Sequence, residues 1–172
     1  MRIYLFRHGP AGTRDVARWP DDALRPLSPR GVERTEQAAR GLARLERAAT
    51  VVVSSPLTRA MQTAKLLRGA LELEAPTEQL PALAPGGSYR AILERLARFD
   101  ANDVVFLVGH EPDLGKLAGA LLFGTPVSSL SLKKAGACAI VFEGPLKPGA
   151  GRLRGFLAPT ILRRIGRKGA KI

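Results

Sequence analysis

The first six residues form a short apolar run rich in β-forming side chains, which predicts a buried strand. Arg7, His8 and Gly9 follow directly, so they lie where a strand ends and a loop begins, the edge at which open α/β sheets bind ligands. There a guanidinium can hold a phosphate by two charge-assisted hydrogen bonds, an imidazole can act as a nucleophile, and a glycine lets backbone approach a ligand. A strand-end arginine beside a surface histidine fits these three residues equally well.

A second strand and the helix after it bring another arginine to a comparable position. Residues 51–53 are three valines that predict a central strand, and the small and apolar residues 60, 64, 67 and 71 share one face of the following helix. Arg59 then lies in the first turn of this helix, where the helix dipole disfavours a cation. A bound anion, held jointly by the arginine and the helix N-terminus, would explain that placement. An exposed arginine in a strongly basic protein is the alternative.

The strongest predicted strand, residues 103–108, runs straight into Gly109 and His110, and another helix follows. Both histidines of the chain therefore come immediately after predicted strands. In a parallel sheet, strand ends of this kind line one edge. We expect two histidines and two arginines to converge at that edge, namely Arg7, His8, Arg59 and His110.

The order of the predicted elements indicates the fold class. Ser28 as N-cap and Pro29 at the first helical position begin a helix that ends near Ala48. Residues 130–143 and 152–157 predict two antiparallel strands joined by a turn. We therefore expect an α/β fold, a three-layer α/β/α sandwich whose central sheet is mostly parallel with an antiparallel C-terminal edge. A length of 172 residues suits one domain, residues 1–172, with one core.

Composition limits the surroundings in which the chain works. The chain begins without a secretory signal pattern and contains no apolar run long enough to cross a bilayer. Its one cysteine, Cys138, fits a reducing compartment, so we expect a cytoplasmic protein without membrane insertion. Two histidines and one cysteine match no usual zinc site, so we expect no metal and no other cofactor.

The formal net charge is +12, from 27 basic and 15 acidic residues. Such a charge attracts anions, among them phosphorylated substrates, nucleic acid, polyphosphate and acidic membranes, without choosing among them. The tail at residues 159–172 is basic and contains no acidic residue. We expect a short docked helix and a frayed end there, and a tail that binds polyanions is the alternative.

Four elements in register resemble the histidine phosphatase superfamily, whose fold is phosphoglycerate mutase-like. They are Arg7-His8-Gly9 after the first strand, residues 55–63 around Arg59, residues 108–112 around His110, and the α/β pattern between them. The resemblance covers nearly the whole chain. The compact length and two further motifs resemble the short bacterial phosphohistidine phosphatase branch of SixA type: Asp22-x-x-Arg25-Pro26-Leu27 and Phe156-x-x-Pro159.

This resemblance implies a site and a reaction. His8 would be the nucleophile that takes the phosphoryl group, and Arg7, Arg59 and His110 would neutralise the charge on its oxygens. Water would then attack the phosphohistidine, and no metal would be needed. His110 would be protonated with phosphate bound, because an adjacent anion favours the imidazolium. By its place in the branch motif, Arg25 would bind the substrate and help to dock an acidic phosphoprotein.

One departure from the superfamily bears on the substrate. Its phosphomonoesterases and mutases carry Leu-x-Glu after the second helix, and that Glu protonates the leaving oxygen. The equivalent here is Leu-Ala-Pro at residues 83–85, in which proline donates no proton, and Glu78 lies out of register. Imidazole leaves phosphohistidine with less help than an alkoxide needs, so the sequence favours P–N over P–O substrates. Glu111, Asp113 or an aspartate within residues 15–22 could still serve as the acid.

Three functions remain, in descending order of support. The first is a metal-independent phosphatase that dephosphorylates phosphohistidine in a protein through a covalent intermediate on His8. The second is a phosphomonoesterase that acts on small molecules such as sugar or nucleotide phosphates. The third is a polyanion- or nucleic-acid-binding protein on a phosphatase scaffold, which the basic tail favours and the intact His8, Arg59 and His110 disfavour.

Overall fold

The computed structural model describes residues 1–127 and 129–167, which form one six-stranded sheet with helices on both faces. The strands are β1 (Arg2–Arg7), β2 (Val51–Ser54), β3 (Glu78–Gln79), β4 (Val104–Gly109), β5 (Ala137–Val141) and β6 (Arg152–Leu157). The α-helices are α1 (Pro29–Leu45), α2 (Thr58–Ala70), α3 (Tyr89–Leu96), α4 (Asp113–Phe123) and α5 (Pro159–Gly166). Two short 3₁₀ turns lie at Asp22–Leu24 and Pro81–Leu83.

The strands follow the order β3-β2-β4-β1-β5-β6 across the sheet. The first four are parallel, and β4 lies between β2 and β1. β5 runs antiparallel to both of its neighbours, β1 and β6. The expected mostly parallel sheet with an antiparallel C-terminal edge is therefore confirmed.

Alternate residues of the central strands point to opposite faces of the sheet. In β1, Ile3 and Leu5 join the apolar core beneath α3 and α4, whereas Tyr4 and Phe6 join the core beneath α1, α2 and α5. Burying each large apolar side chain in this way contributes about 2 kcal/mol relative to leaving it exposed. The expected three-layer α/β/α sandwich is confirmed, since both faces of the sheet are covered.

The predicted start of α1 is confirmed at atomic level. The Ser28 hydroxyl oxygen accepts a hydrogen bond from the Gly31 N–H, and Pro29 occupies the first helical position. Such a cap satisfies one of the free N–H groups at the helix start. The helix ends at Leu45, slightly before the predicted Ala48. None of the helices in the described residues is long and apolar enough to span a bilayer.

The predicted strand at residues 130–143 is wrong in its first half, because β5 begins only at Ala137. Residues 130–136 instead cross the carboxyl end of β1. The Ala135 N–H donates to the carbonyl oxygens of Arg7 and His8, at N···O distances of 3.1 and 3.2 Å. Ala135 also has a φ of 59°, a left-handed conformation that interrupts an extended strand. This segment therefore contributes to the edge of the sheet where the histidines lie.

Helix α5 packs closely on α1, as the predicted docked helix requires. Leu162 of α5 is fully buried. A Cβ built on Gly41 of α1 would lie 2.0 Å from the Leu162 carbonyl oxygen, and one on Gly166 would lie 1.9 Å from the Gln37 carbonyl oxygen. The two glycines therefore let the helix backbones touch. The remainder of the basic tail, residues 168–172, lies outside the described residues.

The variant Gly41→Ala should lower the free energy of unfolding by about 2 kcal/mol, because overpacking a close contact costs roughly 1–3 kcal/mol. Gly69→Ala is the matched control, since Gly69 lies in α2 and has nothing within 4 Å of its Cβ position. That control should raise the free energy of unfolding by about 0.5–1 kcal/mol through helix propensity. Urea unfolding followed by circular dichroism measures both changes. Equal stabilities for the two variants would contradict the close packing of α1 on α5.

Candidate active site

The carboxyl ends of β1 and β4 bring the two histidines together. Arg7 of β1 pairs with Gly109 of β4, and the His8 N–H donates to the Gly109 carbonyl oxygen at 3.0 Å. The rings of His8 and His110 are 4.9 Å apart between centroids and tilted by 51°. Because the two strands are parallel neighbours, each histidine occupies the first position beyond its strand, as the sequence predicts.

Gly9 links the end of β1 to α1 and α2. Its N–H donates to the Thr63 hydroxyl oxygen at 3.0 Å, and that hydroxyl donates to the Arg59 carbonyl oxygen at 2.8 Å. A Cβ on Gly9 would lie 1.8 Å from the Thr35 hydroxyl oxygen. The missing side chain therefore makes room for α1, whereas the sequence suggested room for a ligand.

His8 is held as a neutral imidazole with one free nitrogen. Only 7% of the residue is exposed. Its Nδ1 lies 2.7 Å from the Gly9 carbonyl oxygen, which can only accept, so Nδ1 carries the proton and Nε2 keeps its lone pair. Burial lowers the pKa of His8 to about 4, and the nearby Arg59 and Arg7 guanidiniums act in the same direction. At neutral pH the ring is therefore uncharged and Nε2 is a free base.

His110 faces His8 from the end of β4 and contacts the end of β2. Its Nε2 lies 2.9 Å from the Ser55 hydroxyl oxygen, and only 3% of the residue is exposed. Burial, together with the neighbouring His8, Arg59 and Arg7, lowers the pKa of His110 to about 3. In the structure His110 is thus neutral at pH 7. Its protonation in the presence of phosphate stays a prediction.

Arg59 lies in the first turn of α2, as predicted, and its residue is 5% exposed. Its Nη1 donates to the Asp22 carbonyl oxygen at 2.8 Å, and its Nη2 lies 3.2 Å from Asp22 Oδ2. The buried Nε has no hydrogen-bond partner among the described residues. Leu57, at the N-cap of α2, supplies no side-chain cap. The cation that the helix dipole disfavours is therefore balanced in part by Asp22 and keeps one free donor.

Arg7 is held from the opposite side by residues 130–136. Its Nη1 donates to the Leu132 carbonyl oxygen at 2.7 Å, and the Leu132 N–H donates in turn to Glu111 Oε1 at 3.0 Å. Its own Nε is buried and, within residues 1–127 and 129–167, also lacks a hydrogen-bond partner. Each arginine of the predicted site thus has a fixed orientation and one buried donor left over.

Arg25 lies beside the site, and its donors are already taken. Its Nε donates to Asp22 Oδ1 at 2.8 Å, and its Nη1 donates to the Gly12 carbonyl oxygen at 2.8 Å. Its expected role in binding substrate stays a prediction. The sequence does not predict the contacts of Asp22, whose carboxylate lies between Arg25 and Arg59. The only signal for it is its fixed spacing from Arg25 in the branch motif.

Asp113, which the sequence leaves open as a proton donor, has a structural partner, and so has Glu78, which the sequence places out of register. Both carboxylate oxygens of Glu78 accept from Arg95, at 2.6 Å each. Asp113 Oδ2 accepts from the Gly86 N–H at 3.0 Å. In the part of the chain that the structure describes, no three His, Cys, Asp or Glu side chains come together as metal ligands would. The expected independence of a metal stays a prediction.

Known proteins share this combination of sequence and geometry. The model of the histidine phosphatase superfamily (branch 1) matches residues 3–84. An uncharacterized protein of Picosynechococcus sp. strain PCC 7002 is 40% identical over 156 residues, which are 90% of this chain and 89% of that protein. The chain belongs to the histidine phosphatase superfamily. Together with its likeness to solved SixA phosphatases, this membership makes it a hydrolase of phosphate esters or phosphoramidates, and the predicted family is confirmed.

Two solved histidine phosphatases of SixA type superpose on nearly the whole chain. The protein histidine phosphatase SixA complexed with tungstate matches with a TM-score of 0.80 and 25% identity, over 94% of this chain and 99% of its own. A protein from Nakamurella multipartitia, assigned as a phosphohistidine phosphatase SixA, matches with a TM-score of 0.73 and 26% identity, over 92% and 95%. The predicted resemblance to the SixA-type branch is confirmed.

Neither histidine should titrate between about pH 5.5 and 8 in the folded protein, because burial lowers the pKa of His8 to about 4 and of His110 to about 3. The chain has 2 histidines, so NMR spectra of the ring protons report on this pair alone. The unfolding free energy should also fall as the pH drops from about 6.5 towards 4, since the unfolded chain then takes up protons that the folded chain does not. A folded-state midpoint near 6.5 for either ring would contradict the buried, neutral pair.

Proposed function

We propose that the chain removes phosphoryl groups from phosphohistidine in a protein, through a covalent intermediate on His8. The observation that carries this proposal is a pair of buried Nε donors, on Arg7 and Arg59, without a partner in the described residues. Unpaired buried donors on charged groups are costly, and a phosphoryl group between the arginines would satisfy both. The neutral His8 ring, with Nε2 free, lies beside them.

The proposed reaction has two steps and needs no group from outside the chain except water. His8 Nε2 bonds to phosphorus as the P–N bond of the substrate breaks, and the bonding pair stays on the leaving nitrogen. Water then attacks the phosphorus on His8 while the P–Nε2 bond breaks and its electron pair returns to Nε2. The proton that water loses passes to solvent, and inorganic phosphate leaves the restored neutral imidazole. Arg7, Arg59 and His110 would stabilise the charge on the phosphoryl oxygens in both steps.

The acidic residues around the site favour a P–N substrate. The turn Pro81–Leu83 lies next to the site, since the Leu83 carbonyl oxygen is 3.5 Å from the Cβ position of Gly109. Residues 84 and 85, which follow it, are Ala and Pro and carry no acid. Glu78 and Asp113 are engaged elsewhere. A phosphorylated imidazole that is protonated on its other nitrogen leaves as neutral imidazole, so it needs no donor.

The surface beside Asp22 supports a protein as the phosphorylated partner. Arg14 Nε lies 3.9 Å from Asp22 Oδ1, and the neighbouring Val16 and Leu24 are 72% and 60% exposed. Next to them is a groove of about 170 Å³ lined in part by Arg18 and Trp19. Exposed apolar side chains beside a groove suit contact with a protein surface better than with a small sugar phosphate.

Replacing the nucleophile gives the first test of this function. His8→Ala should remove nearly all turnover of an aryl phosphate, because it removes the Nε2 lone pair that the proposed reaction uses to attack phosphorus. During turnover by the unaltered protein, rapid quenching should trap phosphate on His8 that is labile to acid and stable to base. Mass spectrometry of the peptide that contains His8 measures the adduct. Substantial activity in His8→Ala would show that this residue is not the nucleophile.

The substrate class is tested by comparing four substrates at one pH. We expect kcat/KM to be highest for a phosphohistidine peptide, measurable for phosphoramidate, and about a hundredfold or more lower for a phosphoserine peptide and a sugar phosphate, because general acid catalysis contributes roughly 10²–10⁴-fold. Released phosphate measures each rate. If the sugar phosphate reacts as fast as phosphohistidine, the phosphomonoesterase alternative replaces this proposal.

A further inference from the structure

Asp22 places a negative charge directly beside the arginine that the proposed function assigns to phosphate. Its Oδ2 lies 3.2 Å from Arg59 Nη2, and its Oδ1 accepts from Arg25 Nε at 2.8 Å. Arg25 is fixed in turn by its hydrogen bond to the Gly12 carbonyl oxygen. Arg25 Nη2 also donates to Asp22 Oδ2, at 3.4 Å, so Arg25 holds both carboxylate oxygens in position while Oδ2 lies against Arg59.

The place at which Asp22 contacts Arg59 matters because it decides which guanidinium N–H groups remain for a phosphoryl group. Nη1 is committed to the Asp22 carbonyl oxygen, so a phosphoryl group would use the edge formed by Nε and Nη2. Asp22 Oδ2 lies against that same Nη2. Phosphoryl oxygens bound there would lie near a carboxylate, and the hydrogen bond from Arg25 lowers the pKa of Asp22, which keeps it ionised. Like charges at this range repel, and more strongly when the substrate carries more negative charge.

Phosphate esters and phosphoramidates differ in that charge. At neutral pH an aryl or alkyl phosphate is a dianion. A phosphoramidate or phosphohistidine with a protonated leaving group carries the same phosphoryl group and one positive charge, so its net charge is less negative by one. A fixed carboxylate beside Arg59 therefore penalises the ester more than the P–N compound.

We propose that Asp22 is a specificity-determining residue that disfavours dianionic phosphate esters and so favours P–N substrates with a protonated leaving group. This inference rests on the proposed function, since it takes Arg59 as part of the phosphate site. It assigns Asp22 the opposite role to a proton donor. A carboxyl group that protonated an ester oxygen would aid ester hydrolysis, and its loss would harm esters most.

The test compares Asp22→Asn with Asp21→Asn, which removes the same charge one residue away. Asp21 is exposed, and its carboxylate accepts from the Ala23 N–H rather than from Arg59. The asparagine oxygen at position 22 can still accept from Arg25, so the loop keeps its support. Each variant is assayed with phosphoramidate and p-nitrophenyl phosphate, and with inorganic phosphate as inhibitor.

For Asp22→Asn we expect the inhibition constant of inorganic phosphate to fall about tenfold. The ratio of kcat/KM for phosphoramidate to kcat/KM for p-nitrophenyl phosphate should also fall about tenfold, mainly because ester turnover rises. Asp21→Asn should change both quantities by less than about twofold, because its charge is exposed and screened. A merely structural role for Asp22 would weaken phosphate binding and slow both substrates alike.

An unchanged or increased substrate ratio in Asp22→Asn, or weaker phosphate inhibition, overturns the proposal. A loss confined to the ester would identify Asp22 as a proton donor and overturns it as well. The proposed function fails separately, if the unaltered protein releases no phosphate from a phosphohistidine peptide. In that case a tenfold shift of the ratio with phosphoramidate still supports the role of Asp22, because that measurement involves no peptide.

Discussion

The parallel pairing of β1 with β4 is the constraint on which the rest of the site depends. Both strands are buried in the centre of the sheet, and the backbone bond from the His8 N–H to the Gly109 carbonyl oxygen continues their pairing beyond the strand ends. His8 and His110 must therefore lie side by side. β2 pairs with the other side of β4 and brings Ser55 and the start of α2 to the same edge. Moving either histidine would require a change of register through the whole core.

Burial of so many basic groups in one place decides their charge states. Charging two imidazoles and two guanidiniums side by side costs too much free energy when they are buried away from water. The imidazoles are the groups that lose their protons, because the ordinary pKa of histidine is much lower than that of arginine. The result is a site with fixed positive charge on Arg7 and Arg59 and two uncharged imidazoles. The Asp22 carboxylate offsets part of the positive charge of Arg59.

The sequence predicts the parts of this site that local patterns encode. The strand ends are visible as apolar runs that stop at Arg7 and Gly109, and helical spacing places Arg59 in the first turn of a helix. Because the sheet is parallel, these residues and the histidines meet at one edge. Residues 130–136 are mistaken for a strand because Leu130 and Leu132 alternate with polar residues and lead directly into β5. The hydrogen bonds that divert Ala135 join it to Arg7 and His8, which are far away in sequence. The contact of Asp22 with Arg59 cannot be predicted for the same reason. The sequence of a loop gives the spacing of its residues but not the direction in which their side chains point.

The positions of the acidic side chains near Arg7 and Arg59 also explain why proteins that share a fold need not share a substrate. Glu111 supports the segment that orients Arg7, and Glu78 and Asp113 hold other backbone and side-chain groups. Each of these carboxylates therefore has a structural contact of its own. Asp22 lies against Arg59, and its ion pairs with Arg25 and Arg59 keep it ionised. Under the proposed function, such a site supplies positive charge to the phosphoryl oxygens, and the proton for the leaving atom would arrive with the substrate.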